Sequence, residues 1–187
     1  MRYSDWLLIT PSGIRYDALE PTQIVEMDME GTTEGRMRPS SEWRFHLDIY
    51  NARPEVGAIV HTHPPSGTAV AALRRDLPAF HYMVAAAGGK TIRCAPYATF
   101  GTQLLSDFVL RALEDRTACL LANHGMVAVG TTLEQASQLA IEVEMLCQMY
   151  LATLSAGEPF LLTDEEMQEV LDKFEDYRNP PPRKPWE

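Results

Sequence analysis

His61 and His63, with Thr62 between them, are the residues in this chain whose type and spacing best suit chemistry. Gly57-Ala58-Ile59-Val60 before them is small and β-branched, which predicts a short buried strand. Side chains alternate faces along a strand, so both imidazoles project the same way, roughly 6.5–7 Å apart along the chain. Two imidazoles on one side of a rigid strand end can reach one metal ion at about 2.0–2.1 Å. Pro64 has no backbone donor and stops the ladder, which leaves the pair at a strand mouth. Two unrelated polar residues at a strand terminus would look the same, so a third ligand and an acid or base must come from elsewhere.

His124 lies between the apolar runs Cys119-Leu120-Leu121-Ala122 and Met126-Val127-Ala128-Val129, beside Gly125, where the backbone can turn sharply. It is the leading third ligand. Three histidines with an open fourth position are the pattern of catalytic zinc, whereas structural zinc takes four ligands rich in cysteine. Neutral imidazoles also suit other divalent ions, so zinc leads a short field. His46 competes for the third place, because it stands four residues after Glu42 on the same helix face. His81 follows Phe80 in an apolar setting and reads as a hydrogen-bonded structural histidine. A tri-histidine metal beside a carboxylate can polarise a carbonyl or hydroxyl oxygen and stabilise an enediolate. The carboxylate then moves the proton, best where burial has raised its pKa. Glu42 is the candidate, since its helix leads directly into the histidine strand, although spacing alone does not establish the role.

The elements that must carry these residues follow from periodicity. Trp6 to Thr10 predicts a strand stopped by Pro11-Ser12-Gly13, and its place near Met1 predicts an edge. Ile24 to Asp28 predicts a second strand, antiparallel to it. Pro39-Ser40-Ser41 predicts a helix start with a hydroxyl N-cap and Glu42 in the first turn, running to Tyr50 and Asn51. Thr68 to Leu73 is a short helical stretch, residues 82–89 are apolar and small, and Thr102 to Leu113 has helical spacing. Thr132 with Gln135 and Thr163 with Glu166 are capping boxes, opening helices to about Leu154 and Phe174. Residues 1–178 read as one α/β domain, and residues 179–187, with four prolines, as a mobile tail.

Composition narrows the class. With 45% apolar and 22% charged residues in 187, the chain suits a soluble globular domain with a substantial core. A formal charge of −10 without any basic run argues against a nucleic-acid partner. The sequence predicts no membrane span or signal peptide. Cys94, Cys119 and Cys147 are odd in number and set among apolar residues, which predicts reduced buried thiols in a cytoplasmic protein.

Longer stretches carry a resemblance. Pro39-Ser40-Ser41-Glu42, His46, Tyr50, Arg53-Pro54, His61-Thr62-His63 and Asn123-His124-Gly125 resemble the class II aldolase/adducin family. So do Ser40 to His46, His81-Tyr82-Met83, Ala85 to Gly89 and Cys94 to Thr102, which point within it to the L-fuculose-phosphate aldolases. The resemblance implies a central, mainly antiparallel sheet flanked by helices, and a homotetramer with active sites between subunits. It implies one zinc ion per subunit on His61, His63 and His124, with Glu42 near or on the metal and acting as acid/base. Tyr82, from a neighbouring subunit, would match the tyrosine that protonates or orients the aldehyde oxygen. Tyr177 and Phe100 match positions that close over the aldehyde, while Ser12, Gly13, Ser40 and Ser41 match phosphate-binding positions.

The implied reaction is metal-dependent cleavage of a ketose 1-phosphate, first of all L-fuculose 1-phosphate, to dihydroxyacetone phosphate and L-lactaldehyde. Two departures stand out. The family carries a further helix and a Gly-Asn phosphate loop upstream, so the N-terminal part looks missing here. Pro64-Pro65-Ser66-Gly67 is also unlike the fuculose enzymes and suggests a different deoxy-ketose 1-phosphate. A methylthioribulose-1-phosphate dehydratase and a sugar-phosphate 4-epimerase share the scaffold, and the epimerase should carry Asp in place of Glu42. An adducin-like association module, inactive, should have lost the metal ligands.

Overall fold

A computed structural model describes residues 1–3 and 5–178, with side chains as far as Asp176; the tail at 179–187 lies outside the described residues. Among the described residues, seven strands form two sheets. Strands β1 (Arg2–Tyr3), β2 (Trp6–Ile9) and β3 (Val25–Asp28) make a small antiparallel sheet in that order. Strands β4 (Ala58–Thr62), β5 (Cys94–Ala95), β6 (Ala118–Leu121) and β7 (Gly125–Gly130) make the larger sheet, ordered β4-β7-β6-β5. Its β4/β7 and β6/β7 pairs are antiparallel and its β5/β6 pair is parallel, so the sheet is mainly antiparallel, as expected. Five α-helices accompany them among the described residues: α1 (Trp43–Ala52), α2 (Pro65–Ala72), α3 (Gln103–Ala112), α4 (Leu133–Ala156) and α5 (Asp164–Arg178).

The period of two decides where the core lies. On β7, Val127 and Val129 join one apolar cluster, whereas Met126 and Ala128 join another. On β6 the same split sends Cys119 and Leu121 one way, Ala118 and Leu120 the other. The first cluster contains Phe45, Ile49 and Tyr50 of α1, Leu105 and Val109 of α3, and Leu7, Ile9, Val25 and Met27 of the small sheet. The second contains Val70 and Ala71 of α2, Val143, Leu146 and Tyr150 of α4, and Met167 of α5. Both faces of the large sheet are therefore covered, which is why its strands read as unbroken apolar runs.

Three expectations need correction. The strand at Trp6 is no edge: the chain before it folds back as β1, and Arg2 also donates its amide to Gly57 O at 2.9 Å, tying the small sheet to the head of β4. The helix after Pro39 begins at Trp43, so Glu42 is its N-cap residue and not part of its first turn. Ser40 Oγ accepts from the Glu42 amide at 3.3 Å and holds the turn ahead of the helix. Finally, α4 is long and apolar enough by length and composition to cross a membrane, but its stripe Ala136, Ala140, Val143, Leu146, Cys147 and Tyr150 is buried in the core. Helix α2 starts at Pro65, three residues ahead of the expected Thr68, whereas the starts of α3, α4 and α5 were legible. Thr132 caps α4 through the Gln135 amide, and Thr163 and Glu166 close a reciprocal box ahead of α5 at 3.2 and 2.8 Å.

Candidate metal centre

Strand parity aims the histidines. His61 shares its face of β4 with Ile59, which packs in the α1-side cluster, so its ring turns toward α1 and meets Phe45 edge-on at 5.2 Å. His63 follows one pleat later, and its Nε2 stands 3.0 Å from His61 Nε2. His124 comes from the three-residue turn between β6 and β7. Its amide donates to Leu121 O at 3.0 Å, and Asn123 takes a left-handed φ of 55°, which asparagine tolerates better than most residues. Gly125 is required next: a Cβ there would lie 2.5 Å from Thr62 O and 2.6 Å from His63 Cδ2.

Glu42 completes the group. Freed from the helix by its N-cap position, the buried carboxylate makes no capping bond and puts Oε2 2.6 Å from His61 Nε2 and 3.3 Å from His124 Nε2. One donor atom from each of Glu42, His61, His63 and His124 falls within 4.8 Å of all the others, the one such group among the described residues. His46 stays outside it. Its ring stacks on Phe45 at 4.7 Å, because Glu42 leaves the helical path and the expected shared face does not exist. His81 is a hydrogen-bonded cap, accepting at Nδ1 from the Met83 amide at 3.2 Å.

The donor chemistry fits a cation. His61 Nδ1 lies 3.0 Å from Met126 O, and a carbonyl only accepts, so Nδ1 carries a proton and Nε2 is the ring atom turned toward Glu42 and His63. Electron-rich atoms at such separations need a shared positive charge. Glu42 Oε1 is likewise buried without a hydrogen-bond partner, which is costly unless an ion or ligand group completes it. Burial pushes the Glu42 carboxyl up, but hydrogen bonds from His124 and His61 and their charge outweigh it and hold the carboxyl well below its usual range. That reverses the direction expected from burial alone and keeps Glu42 a carboxylate. Burial and the charges of His61 and His124 push His63 down, which favours the neutral, ligating imidazole.

Two hollows flank the cluster. One, of about 470 Å³, is lined by Thr10, Ser12, Gly13, Ser40 and Ser41 together with Glu42, His61 and His63. Its two loops are laced together: Ser40 donates its amide to Thr10 O, and Ser12 to Arg38 O, both at 2.9 Å. The other, of about 360 Å³, is lined by Ser41, Glu42, His63, Tyr97, Phe100, Asn123 and His124. Arg44 Nε donates to Gly101 O at 3.0 Å and fixes the loop that carries Phe100. All the expected serine and glycine positions and Phe100 thus meet the metal cluster. Tyr82 does not: it opens a 3-10 turn (Tyr82–Ala87), stands half exposed and lines neither hollow. Tyr177 lies on α5, with its side chain outside the described part. Tyr97, Asn123 and the Met126 carbonyl were missed as site components. Tyr97, inside the run from Cys94 to Thr102, and Asn123, beside His124, carried a signal in the sequence, whereas the carbonyl did not. A hollow of about 540 Å³ between Arg53, Leu110 and Leu113 is larger but holds no such donor group.

Comparison with known proteins agrees with this geometry. The chain is 55% identical over 177 residues to a 5-methylthioribulose-1-phosphate/5-deoxyribulose-1-phosphate aldolase of Rhodospirillum rubrum, covering 95% of this chain and 80% of that protein. It is 52% identical to the L-fuculose phosphate aldolase of Escherichia coli, over 95% of this chain and 83% of the relative. A solved structure of an L-fuculose 1-phosphate aldolase superposes with a TM-score of 0.87 at 43% identity, covering 91% of this chain and 81% of that one. The sequence profile of the class II aldolase and adducin N-terminal domain matches residues 2–151, and the chain belongs to that family.

Proposed function

We propose that this chain is a zinc-dependent class II aldolase that cleaves a ketose 1-phosphate to dihydroxyacetone phosphate and a short aldehyde. The observation that carries the reading is the convergence of Glu42, His61, His63 and His124 between two hollows. A divalent ion held by these four supplies the positive charge that a retro-aldol needs beside the C2 and C3 oxygens of the sugar. Ser12, Gly13, Ser40 and Ser41 bind the phosphate, since hydroxyls and backbone donors ahead of a helix suit an anion. Glu42, kept as a carboxylate, removes a proton from C3 of dihydroxyacetone phosphate in condensation and returns it there after the C3–C4 bond breaks. Phe100 and Tyr177 cover the aldehyde end. Tyr82 hands the proton to or from the aldehyde oxygen of a neighbouring subunit's site, in a homotetramer of cytoplasmic, single-domain subunits. Its exposure away from the local hollows supports that assignment.

L-fuculose 1-phosphate, giving L-lactaldehyde, is the first substrate to try. A second reading has 5-deoxyribulose or 5-methylthioribulose 1-phosphate as substrate. It is favoured by the Pro64-Pro65-Ser66-Gly67 departure and by the apolar wall of Tyr97, Ala98 and Phe100 on the aldehyde side. Purified protein is incubated with each sugar, and dihydroxyacetone phosphate is followed by coupled NADH oxidation. Metal-dependent release from one of the three supports the proposal. Loss of water from the methylthio sugar without cleavage would instead make it a dehydratase, and no bound divalent metal would favour an association module.

A further inference from the structure

Helix α2 follows the histidine pair at once, with Pro64 as N-cap and Pro65 in the first turn. Pro64 has no side-chain acceptor, so the first turn lacks any local cap. Pro65 has no amide proton, and the Thr68 amide already bonds to Pro64 O at 2.9 Å. That leaves the amides of Ser66 and Gly67, and both donate to one carboxylate: Ser66 to Glu144 Oε1 at 2.9 Å and Gly67 to Glu144 Oε2 at 2.6 Å. Glu144 comes from the middle of α4, 78 residues away from Ser66. Its negative charge also sits at the positive end of the helix dipole. The fit is close, since a Cβ at Gly67 would lie 3.1 Å from Pro64 Cγ and 3.3 Å from Glu144 Oε2.

We propose that Glu144 is a positioning residue for the metal centre: by clamping the first turn of α2 onto α4 it fixes the exit of the chain from β4, and with it the direction of His63. His63 lies one residue before the N-cap and is the most exposed of the four candidate ligands, so its own packing holds it least. His61 is steadied by Phe45 and Met126 O, and His124 by its hairpin; His63 depends on the clamp. The inference rests on the metal-site reading above and is tested without substrate.

Zinc affinity is measured by competition with a chromophoric chelator for the parent protein, Glu144→Ala, Glu144→Gln, His63→Ala and the double variant His63→Ala/Glu144→Ala. Glu144→Ala should raise the zinc Kd roughly 10- to 100-fold, the usual effect of losing a group that orients a ligand. Glu144→Gln keeps one carbonyl acceptor and should fall between, with the metal-free Tm monitoring the fold. In the His63→Ala background the further change should shrink to within about 2-fold, because the clamp then has no ligand to orient. An unchanged Kd in Glu144→Ala and Glu144→Gln overturns the proposal. So does an undiminished effect without His63, which would mean general loosening. If the parent protein binds no zinc at all, the metal-site reading falls first and this inference with it.

Discussion

Replacing Gly125 with alanine tests whether close approach between β7 and the histidine strand builds the metal centre. Gly125 opens β7 opposite Leu121, and a Cβ there would meet His63 Cδ2 at 2.6 Å, His63 Cα at 3.3 Å and Thr62 O at 2.5 Å. Ordinary contact starts near 3.4 Å, so the ring must retreat by about 0.8 Å or the strands must part by as much. Metal sites tolerate roughly 0.2 Å in ligand distance, so His63 leaves the coordination sphere either way. Losing a ligand outright should exceed the loss of a group that merely orients one, which implies a zinc Kd raised by at least about 100-fold. Overpacking of this kind costs about 1–3 kcal/mol, a fall in Tm of roughly 2–12 °C for a chain of this length. Chelator competition and a thermal melt of the metal-free protein read the two effects separately. Zinc binding within about 2-fold of the parent, at full stoichiometry, would refute the reasoning, because the coordination would then tolerate a displacement that large.

Glu42→Gln keeps the shape of the side chain but not its charge. Turnover should fall by roughly 10²- to 10⁴-fold with most of the metal retained, and unchanged turnover in the coupled assay would remove Glu42 from the proton transfer. Phe45→Ala removes a ring buried in the α1-side core and in edge contact with His61; it should cost about 3–5 kcal/mol in urea unfolding and weaken zinc binding as well. Acid should destabilise the metal-free protein through His46. Burial pushes that imidazole down to about 3, so the unfolded chain, with its ordinary value of about 6.5, takes up the proton first. Stability is therefore intact above about pH 6.5 and falls toward pH 3, by at most about 1.4 kcal/mol per pH unit from this group. Equilibrium unfolding of His46→Gln should show a flatter slope in that window, and an identical slope would locate the proton elsewhere.

Local rules made part of this protein legible in its sequence. The alternation of strand side chains put His61 and His63 on one face, and the glycine after His124 marked a turn tight enough to bring the third imidazole in. Capping residues located the starts of α4 and α5 to within a residue, while α5 runs four residues beyond the expected Phe174. Where the local pattern was ambiguous, tertiary contacts decided. Serines ahead of Glu42 looked like an N-cap, yet the helix starts later because Glu42 satisfies the histidines and not the helix amides. Strand β5 has two residues and pairs in parallel with β6, too short for any periodicity to show.

Two parts of the site that stayed hidden share a cause: each joins residues far apart in sequence through backbone atoms, which leave no trace in residue types. The Met126 carbonyl that fixes the His61 tautomer belongs to a strand 65 residues away, and any residue at that position would offer the same oxygen. The Ser66 and Gly67 amides that bind Glu144 are equally anonymous, and Glu144 itself reads as one more acidic residue on a helix. The histidines could be found because their chemistry is written in their side chains. What aims them and brings them close to a carboxylate is written in the register of β4 against β7 and the docking of α2 on α4. A substitution that shifts that register without removing a ligand should therefore impair the centre as surely as deleting an imidazole, and Gly125, where a Cβ would press on both Thr62 and His63, is where such a shift is readily imposed.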